Sequence, residues 1–476
     1  MHSGARQAAI VPGLIYAALS TAIVSSLGML LVPTVAEELD VSVNTAQWML
    51  TINLLVGAIA TPVMGRLSDG PHKRRLLLAS LGIILLGSVI AALATTFPLF
   101  LVGRALQGLS YGIVPVTISL ARRYVESAKV QPSISSLSVT VSTGIGIGYP
   151  LTGIIAGLFQ FQIAFWFAAL FVLSAIVVVL RTVPAGPDNR APQLPFDFGG
   201  AALLGAGLGA LLLAVSEGPT WGWGSPAAVG TFIGAAIVLA AWVLTELRAA
   251  HPLVNLRVLR TGDVLLANGT AVGLGAAMYI ALSISSLVAQ APTSTGYGIA
   301  LPVFWAGFVM FPLSVGSFTA NRLVRYLAGR IRLTTLLPLG TALMAASGTT
   351  LWLAHSALWE ILVGMLVFGW GMGASYAAMP ALIERSVATS ELGSSVSFNQ
   401  VLRTVGSSFG TAVSAAIFAT HLEPDLRPSG AGITAAFGLG AALCTAVFLI
   451  LLVHRFMHRP GRSAGSHRDQ APTGTN

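Results

Sequence analysis

Leu101-Val-Gly-Arg104-Ala-Leu-Gln107-Gly-Leu-Ser-Tyr111-Gly112 is an apolar stretch with a guanidinium and a carboxamide at its centre. The chain writes it again as Leu362-Val-Gly-Met-Leu-Val-Phe-Gly-Trp370-Gly-Met-Gly373. Gly103, Gly108 and Gly112 keep the spacing of Gly364, Gly369 and Gly373. Further on, Ser133-Ile-Ser135 followed by Gly144 and Gly148 is echoed by Ser395-Val-Ser397 followed by Gly406 and Gly410. The basic stretch Gly65-Arg-Leu-Ser-Asp69-Gly-Pro-His-Lys73-Arg74-Arg75 has a degraded partner in Asn321-Arg-Leu-Val-Arg-Tyr-Leu-Ala-Gly-Arg-Ile-Arg332. Two parallel repeats in one apolar chain imply two halves that enclose a site near the middle of a membrane, the plan of a secondary transporter.

Composition fixes the solvent. Of 476 residues 55% are hydrophobic and 9% charged, with mean hydropathy +0.83, whereas a soluble domain carries about 25% charged residues. An aqueous enzyme is excluded. The 52 glycines and 24 prolines are tolerated by membrane helices. One cysteine, Cys444, permits no disulfide framework or thiolate cluster. The eight histidines fall in no ligand spacing, so no metal and no cofactor is expected. Neither lysine, Lys73 nor Lys129, sits in a phosphate-binding loop, so no ATPase function is built into the chain.

A bilayer core about 30 Å thick takes roughly 20 apolar residues per helix. Such runs lie near 10–32, 46–65, 76–95, 98–121, 134–158, 162–180, 198–216, 227–245, 264–290, 299–320, 333–354, 358–381, 398–420 and 433–454. The expected fold is all-α and integral to the membrane, with fourteen transmembrane helices. Two six-helix pseudo-repeat bundles (helices 1–6 and 9–14) flank a two-helix insert (7–8). The first run follows only Arg6 and lacks a cleavage site, so it reads as a retained helix. With the N-terminus inside, all of the 25 basic residues fall on the cytoplasmic side except Arg427, outside, and Arg104 and Arg403, within helices. That sorting predicts a multi-pass protein of the inner (plasma) membrane with both termini cytoplasmic. It also accounts for the net charge of +9 without nucleic acid. The predicted units are an N-terminal bundle 1–181, a linker and insert 182–262, a C-terminal bundle 263–455 and a disordered cytoplasmic tail 456–476.

These residues resemble the major facilitator superfamily, and more narrowly its fourteen-span drug/proton antiporter branch, over nearly the whole chain. The resemblance implies that Gly65, Asp69, Lys73 and Arg74 form a conformational latch between the halves. Gly70 stands where the family has arginine and His72 where it has glycine, departures that weaken the match. Arg104-Ala-Leu-Gln107-Gly108 matches a helix-4 motif linked in the family to proton handling. The alternative for Arg104 is structural, bonding helix-1 carbonyls. Gly144, Gly148, Pro150 and Gly153 resemble the antiporter signature of helix 5, with Tyr149 before the proline and Ile154 after Gly153 as departures; a general bending helix is the other reading. Phe196-Asp197-Phe198-Gly-Gly200, Trp221, Trp223, Glu246, Arg248 and His251-Pro252 match the insert of fourteen-span members, expected to be peripheral to transport.

Midplane positions supply a candidate substrate site: Ser20, Asn53, Arg104, Gln107, Tyr111, Met278, Tyr279, Trp305, Trp370, Tyr376, Asn399 and Arg403. Aromatic and methionine side chains with a few polar groups suit an amphipathic organic molecule. The two arginines turn the expectation from purely cationic compounds towards neutral or anionic ones. The helix-1 acid usual in the antiporter branch is replaced by Ser20, and no acid lies deep in a predicted helix. Glu360 and Asp69 remain as proton-coupling candidates, with Glu217 outside. The expectation is a monomeric exporter of an amphipathic drug-like or secondary-metabolite compound, working by alternating access with proton influx. An importer or uniporter, and a receptor or scaffold on a transporter fold, stay open.

Overall fold

In the computed structural model, residues 2–41, 43–186, 195–257, 262–326, 333–421 and 428–457 are described. Among the described residues, fourteen helices are long and apolar enough to cross a membrane. They are α1 (Ala9–Ser26), α2 (Trp48–Asp69), α3 (Lys73–Leu93), α4 (Phe97–Tyr124), α5 (Ser127–Leu158), α6 (Phe161–Thr182) and α7 (Phe198–Trp221). The set continues with α8 (Pro226–Arg248), α9 (Gly262–Gln290), α10 (Val303–Val324), α11 (Thr335–Leu353), α12 (Leu358–Ser386), α13 (Leu392–Phe418) and α14 (Gly430–Arg455). Every predicted run is one of them. The tail beyond residue 457 lies outside the described residues, as do Arg190, Arg260, Arg330, Arg332 and Arg427.

Local chemistry sets the ends. Asp197 accepts a hydrogen bond from the Gly200 amide at 2.7 Å and Ser225 one from the Ala228 amide at 3.1 Å, capping α7 and α8. The first run was expected to continue to residue 32, but its helix stops at Ser26. Gly28 takes φ +131°, in the left-handed region that favours glycine. The chain then turns through Met29–Leu31 into a short helix, Val32–Glu38. α4 and α10 each carry a 3₁₀ segment, Gly108–Gly112 and Gly307–Met310, which retwists the side chains beyond it.

The halves pack by one scheme. α1 lies against α5 and α6, and α3 against α4 and α6; correspondingly α9 lies against α13 and α14, and α11 against α12 and α14. Between the halves α2 meets α13, and α5 meets α10 and α12. The α7–α8 hairpin stands beside the α2–α13 seam, with α7 touching both helices. Glycine pairs make these seams close. A Cβ on Gly393 of α13 would come within 2.6 Å of the Gly65 carbonyl oxygen of α2. One on Gly153 of α5 would stand 3.0 Å from the Gly307 Cα of α10. Large apolar side chains such as Leu86, Leu170, Ile237 and Ile450 stay exposed around the outside, as lipid permits and water does not.

Candidate functional site

At one end of the seam the halves are bonded together. Asp69, the last residue of α2, is buried and accepts hydrogen bonds from the backbone N–H groups of Gly393 (2.7 Å) and Ser394 (3.0 Å), the first turn of α13. A carboxylate at a helix N-terminus meets unsatisfied amides and the positive end of the dipole together. Gly65, one turn earlier, provides the room. Arg122 of α4 pairs with Glu384 of α12 at 3.4 Å and donates to the Glu384 carbonyl at 3.2 Å. Lys73 and Arg74 turn inward to their own half: Lys73 donates to the Gly70 carbonyl (2.9 Å), and Arg74 to that of Leu180 (3.1 Å) at the end of α6. Of the four residues expected as a latch, Gly65 and Asp69 touch the opposite half, while these bonds of Lys73 and Arg74 brace the loop.

Away from that end a cavity of about 820 Å³ lies between the halves, within the range of small-molecule sites. It is bordered by residues of α1, α2, α4, α5, α7, α9, α12 and α13, none of them from the bonded end. It runs to the exposed Gln47, Thr220 and Pro292, so the cavity opens opposite Asp69.

Two guanidiniums border it. Arg104 is fully enclosed. Its Nε donates to the Met49 carbonyl of α2 at 3.2 Å and its Nη1 to Gln107 Oε1 at 2.6 Å. Gln107 passes the chain on to Ser88 of α3 at 2.8 Å, and the guanidinium stands 5.7 Å from the Phe165 ring centroid. The carbonyl that receives it is therefore on α2, where the structural alternative put it on helix 1. Arg403 lies over the Tyr376 ring at 4.2 Å, and the Tyr376 hydroxyl donates to Met278 Sδ at 3.3 Å. Among the described residues neither arginine has a carboxylate within ion-pair distance. Asn53 donates from Nδ2 to the Arg104 carbonyl, and its buried Oδ1 has no hydrogen-bond partner.

Of the twelve expected site residues, Asn53, Arg104, Tyr111, Met278, Tyr279, Tyr376 and Arg403 border the cavity. Ser20, Gln107 and Asn399 are buried behind it. Ser20 donates to the Ala17 carbonyl (2.9 Å), and Asn399 to that of Ala267 and to Asn268 Oδ1, both at 3.0 Å. Trp305 and Trp370 turn outward, 57% and 39% exposed, with Trp370 Nε1 donating to Thr319. The reason is angular. Gly369 holds the face of α12 packed on α10, and Trp370, one residue on, is rotated about 100° away from it. On α5, Gly144 and Gly148 are approach points for α1, and Gly153 for α10, while Tyr149 reaches the cavity. Glu360 accepts from the Ala357 amide at 2.9 Å, capping α12 outside the cavity wall. Asp69 is committed to the α13 amides.

The sequence carried a signal for the side chains that were missed. Gln400, Thr404, Ser407, Ser408 and Thr411 form, with the expected Arg403, one polar stripe at helical spacing on α13, and all six border the cavity. Thr21, Ser25 and Ser26 do the same on α1. The insert is the larger correction: α7 contributes to the cavity wall, because it fills the space beside α2 and α13 and does not lie peripheral to it.

The model of the Major Facilitator Superfamily matches residues 13–411. An uncharacterized MFS-type transporter of Mycobacterium tuberculosis is 29% identical over 434 residues, covering 88% of this chain and 61% of that protein. The chain thus spans about three fifths of that relative's length. The lincomycin resistance protein of Streptomyces lincolnensis is 28% identical over 444 residues, covering 92% of this chain and 88% of that protein. Among solved structures, the human organic anion transporter MFSD10 (TETRAN) shares the fold, with TM-score 0.64 at 16% identity over 94% of this chain and 99% of that one. With a family match running from α1 into α13 and a fold that agrees, the chain belongs to the Major Facilitator Superfamily.

Proposed function

We propose that the protein is a secondary transporter that exports an amphipathic small molecule across the plasma membrane by alternating access. The observation that carries this is the cavity between the halves, open at one end and sealed at the other by Asp69 on the amides of α13. The Lys/Arg-rich loops assign the sealed end to the cytoplasm, which makes this the outward-facing state. The halves 1–181 and 263–455 are the rocking units. Arg104, Arg403, the free Oδ1 of Asn53 and the tyrosines around the cavity suit a ligand with hydrogen-bond acceptors, some donors and apolar bulk, neutral or anionic where it meets the arginines. Proton influx is the proposed energy source, by family likeness. Arginine does not titrate in the working range, so neither guanidinium is the proton carrier.

One observation favours a second reading of the energetics. Among the described residues Glu217 is the sole carboxylate bordering the cavity, and it lies near the mouth, a pattern suited to uncoupled movement down a gradient. Liposomes containing the purified protein decide both points. Lincomycin and a panel of neutral, anionic and cationic amphiphiles are followed with and without an imposed pH gradient. Uptake that needs both protein and gradient is expected. Uptake indifferent to the gradient leaves uniport, and movement of none of the compounds overturns transport over that panel.

A further inference from the structure

Resting on the transport reading above, we propose that α7 is a working wall of the cavity and that Glu217 is a specificity-determining residue, favouring occupants that carry a basic nitrogen at the mouth over their uncharged counterparts.

Three observations carry this. The first is the face of α7. Leu212, Val215, Ser216, Pro219 and Thr220 recur at helical spacing and all border the cavity, with Glu217 at the edge of the same stripe. The second is that this wall is fixed on both sides. Ser216 Oγ and Thr51 Oγ1 of α2 are hydrogen-bonded at 3.0 Å. The hairpin partner α8 stacks Trp242 on Phe398 of α13, with ring centroids 6.0 Å apart. Just beyond α8, Asn255 donates to Glu391 at 2.7 Å, beside the start of α13. The third is the state of the Glu217 carboxylate. Asp69, Asp197, Glu246 and Glu360 each accept bonds from the protein, and Glu384 is paired with Arg122. Glu217 makes no hydrogen bond or ion pair among the described residues. Its charge is therefore left for whatever enters, and a low-dielectric cleft focuses that charge on a ligand more than open water would. With the guanidiniums deeper in, a molecule with a basic nitrogen at one end and acceptors at the other is oriented nitrogen-outward.

Cysteine chemistry tests this without knowing the natural cargo, because the single native cysteine, Cys444, is buried. Ser216→Cys, Ala206→Cys on the exposed side of the same helix, and Thr411→Cys on the α13 wall are each treated with methanethiosulfonates. One reagent bears trimethylammonium and the other sulfonate. Positions 216 and 411 are expected to react and 206 to stay unreacted. Adding Glu217→Gln to Ser216→Cys is expected to lower the ratio of cationic to anionic reaction rates roughly three- to tenfold. In parallel, 4-phenylbutylamine is expected to protect position 216 from a neutral methanethiosulfonate at several-fold lower concentration than its N-acetyl derivative, an advantage lost with Glu217→Gln. Reaction at 411 but not at 216 overturns the wall and leaves the transport reading standing. An unchanged rate ratio, or equal protection by the two compounds, overturns the role of Glu217. Silence at both 216 and 411 removes the cavity on which the transport reading rests.

Discussion

The two ends of the seam between the halves are built from different chemistry. At the sealed end Asp69 grips two amides of α13, Arg122 pairs with Glu384, and Ser135 donates to the Ala377 carbonyl at 3.2 Å. At the other end hydroxyls, aromatic rings and aliphatic side chains line an open space. Closure at the sealed end depends on a few directional bonds that exist in full or not at all. The mouth offers a broad surface that accepts many arrangements. A seal made of few strong bonds can be opened by point changes, whereas a ligand surface responds to them in proportion.

The most severe way to break this contrast is Asp69→Ala. It strips two charge-assisted bonds from buried amides, about 3–5 kcal/mol together, or roughly two to nearly four orders of magnitude in the ratio of states. Spin labels on Gln160→Cys and Ser356→Cys, one in each half, are expected to show the population moving to a mouth-closed distance. An unchanged distribution would mean that the seal lies elsewhere. Gly393→Val attacks the same bond sterically, since its Cβ would stand 2.6 Å from the Gly65 carbonyl oxygen and 2.7 Å from Asp69 Oδ1. About 1–3 kcal/mol is expected, read on the same labels as a smaller shift in the same direction.

On the cavity side Arg403→Lys keeps the charge and removes the planar stack on Tyr376, about 0.5–2 kcal/mol. Transport in liposomes should fall about two- to thirtyfold with the protein still folded by circular dichroism. Full activity would show that charge alone matters there. The smallest effect is expected from Arg122→Ala, whose pair with Glu384 is partly exposed. A loss of about 0.2–1 kcal/mol shifts the label distribution slightly, and high salt should erase the difference from the parent protein.

This contrast also separates what the sequence reveals from what it hides. Depth along a helix is legible, because length and charge fix where each apolar run begins and ends. Direction around a helix is much less so. A soluble helix announces its inner face by polarity, but here lipid and protein interior are both apolar and the moment has no preferred direction. Trp370 therefore stands at the expected depth but on the wrong side, Trp305 faces outward in the first turn of α10 and not at the midplane, and Asn399 lies on the back of α13. Where the interior is polar, direction returns: the stripe from Gln400 to Thr411 points at the cavity and could have been read. The Asp69 contact was only half legible. Its loop is conspicuous, but nothing in residues 65–75 names the amides of Gly393 and Ser394, which come from a distant part of the chain. The wall role of α7 was hidden for the same reason, since an insert in sequence says nothing of the gap it fills.

Arg104 and Arg403 have a consequence of another kind. Both are permanent charges inside membrane-spanning helices, Arg403 near the middle of α13 and Arg104 in the third turn of α4, and among the described residues neither has a carboxylate within ion-pair distance. A charge crossing a whole membrane does work of about 2.3 kcal/mol per 100 mV. If rocking carries these two through even a tenth of that field, each adds roughly 0.2 kcal/mol per 100 mV to the difference between states. The membrane voltage then acts as a ligand of this protein, tilting its conformational balance with no proton bound or released.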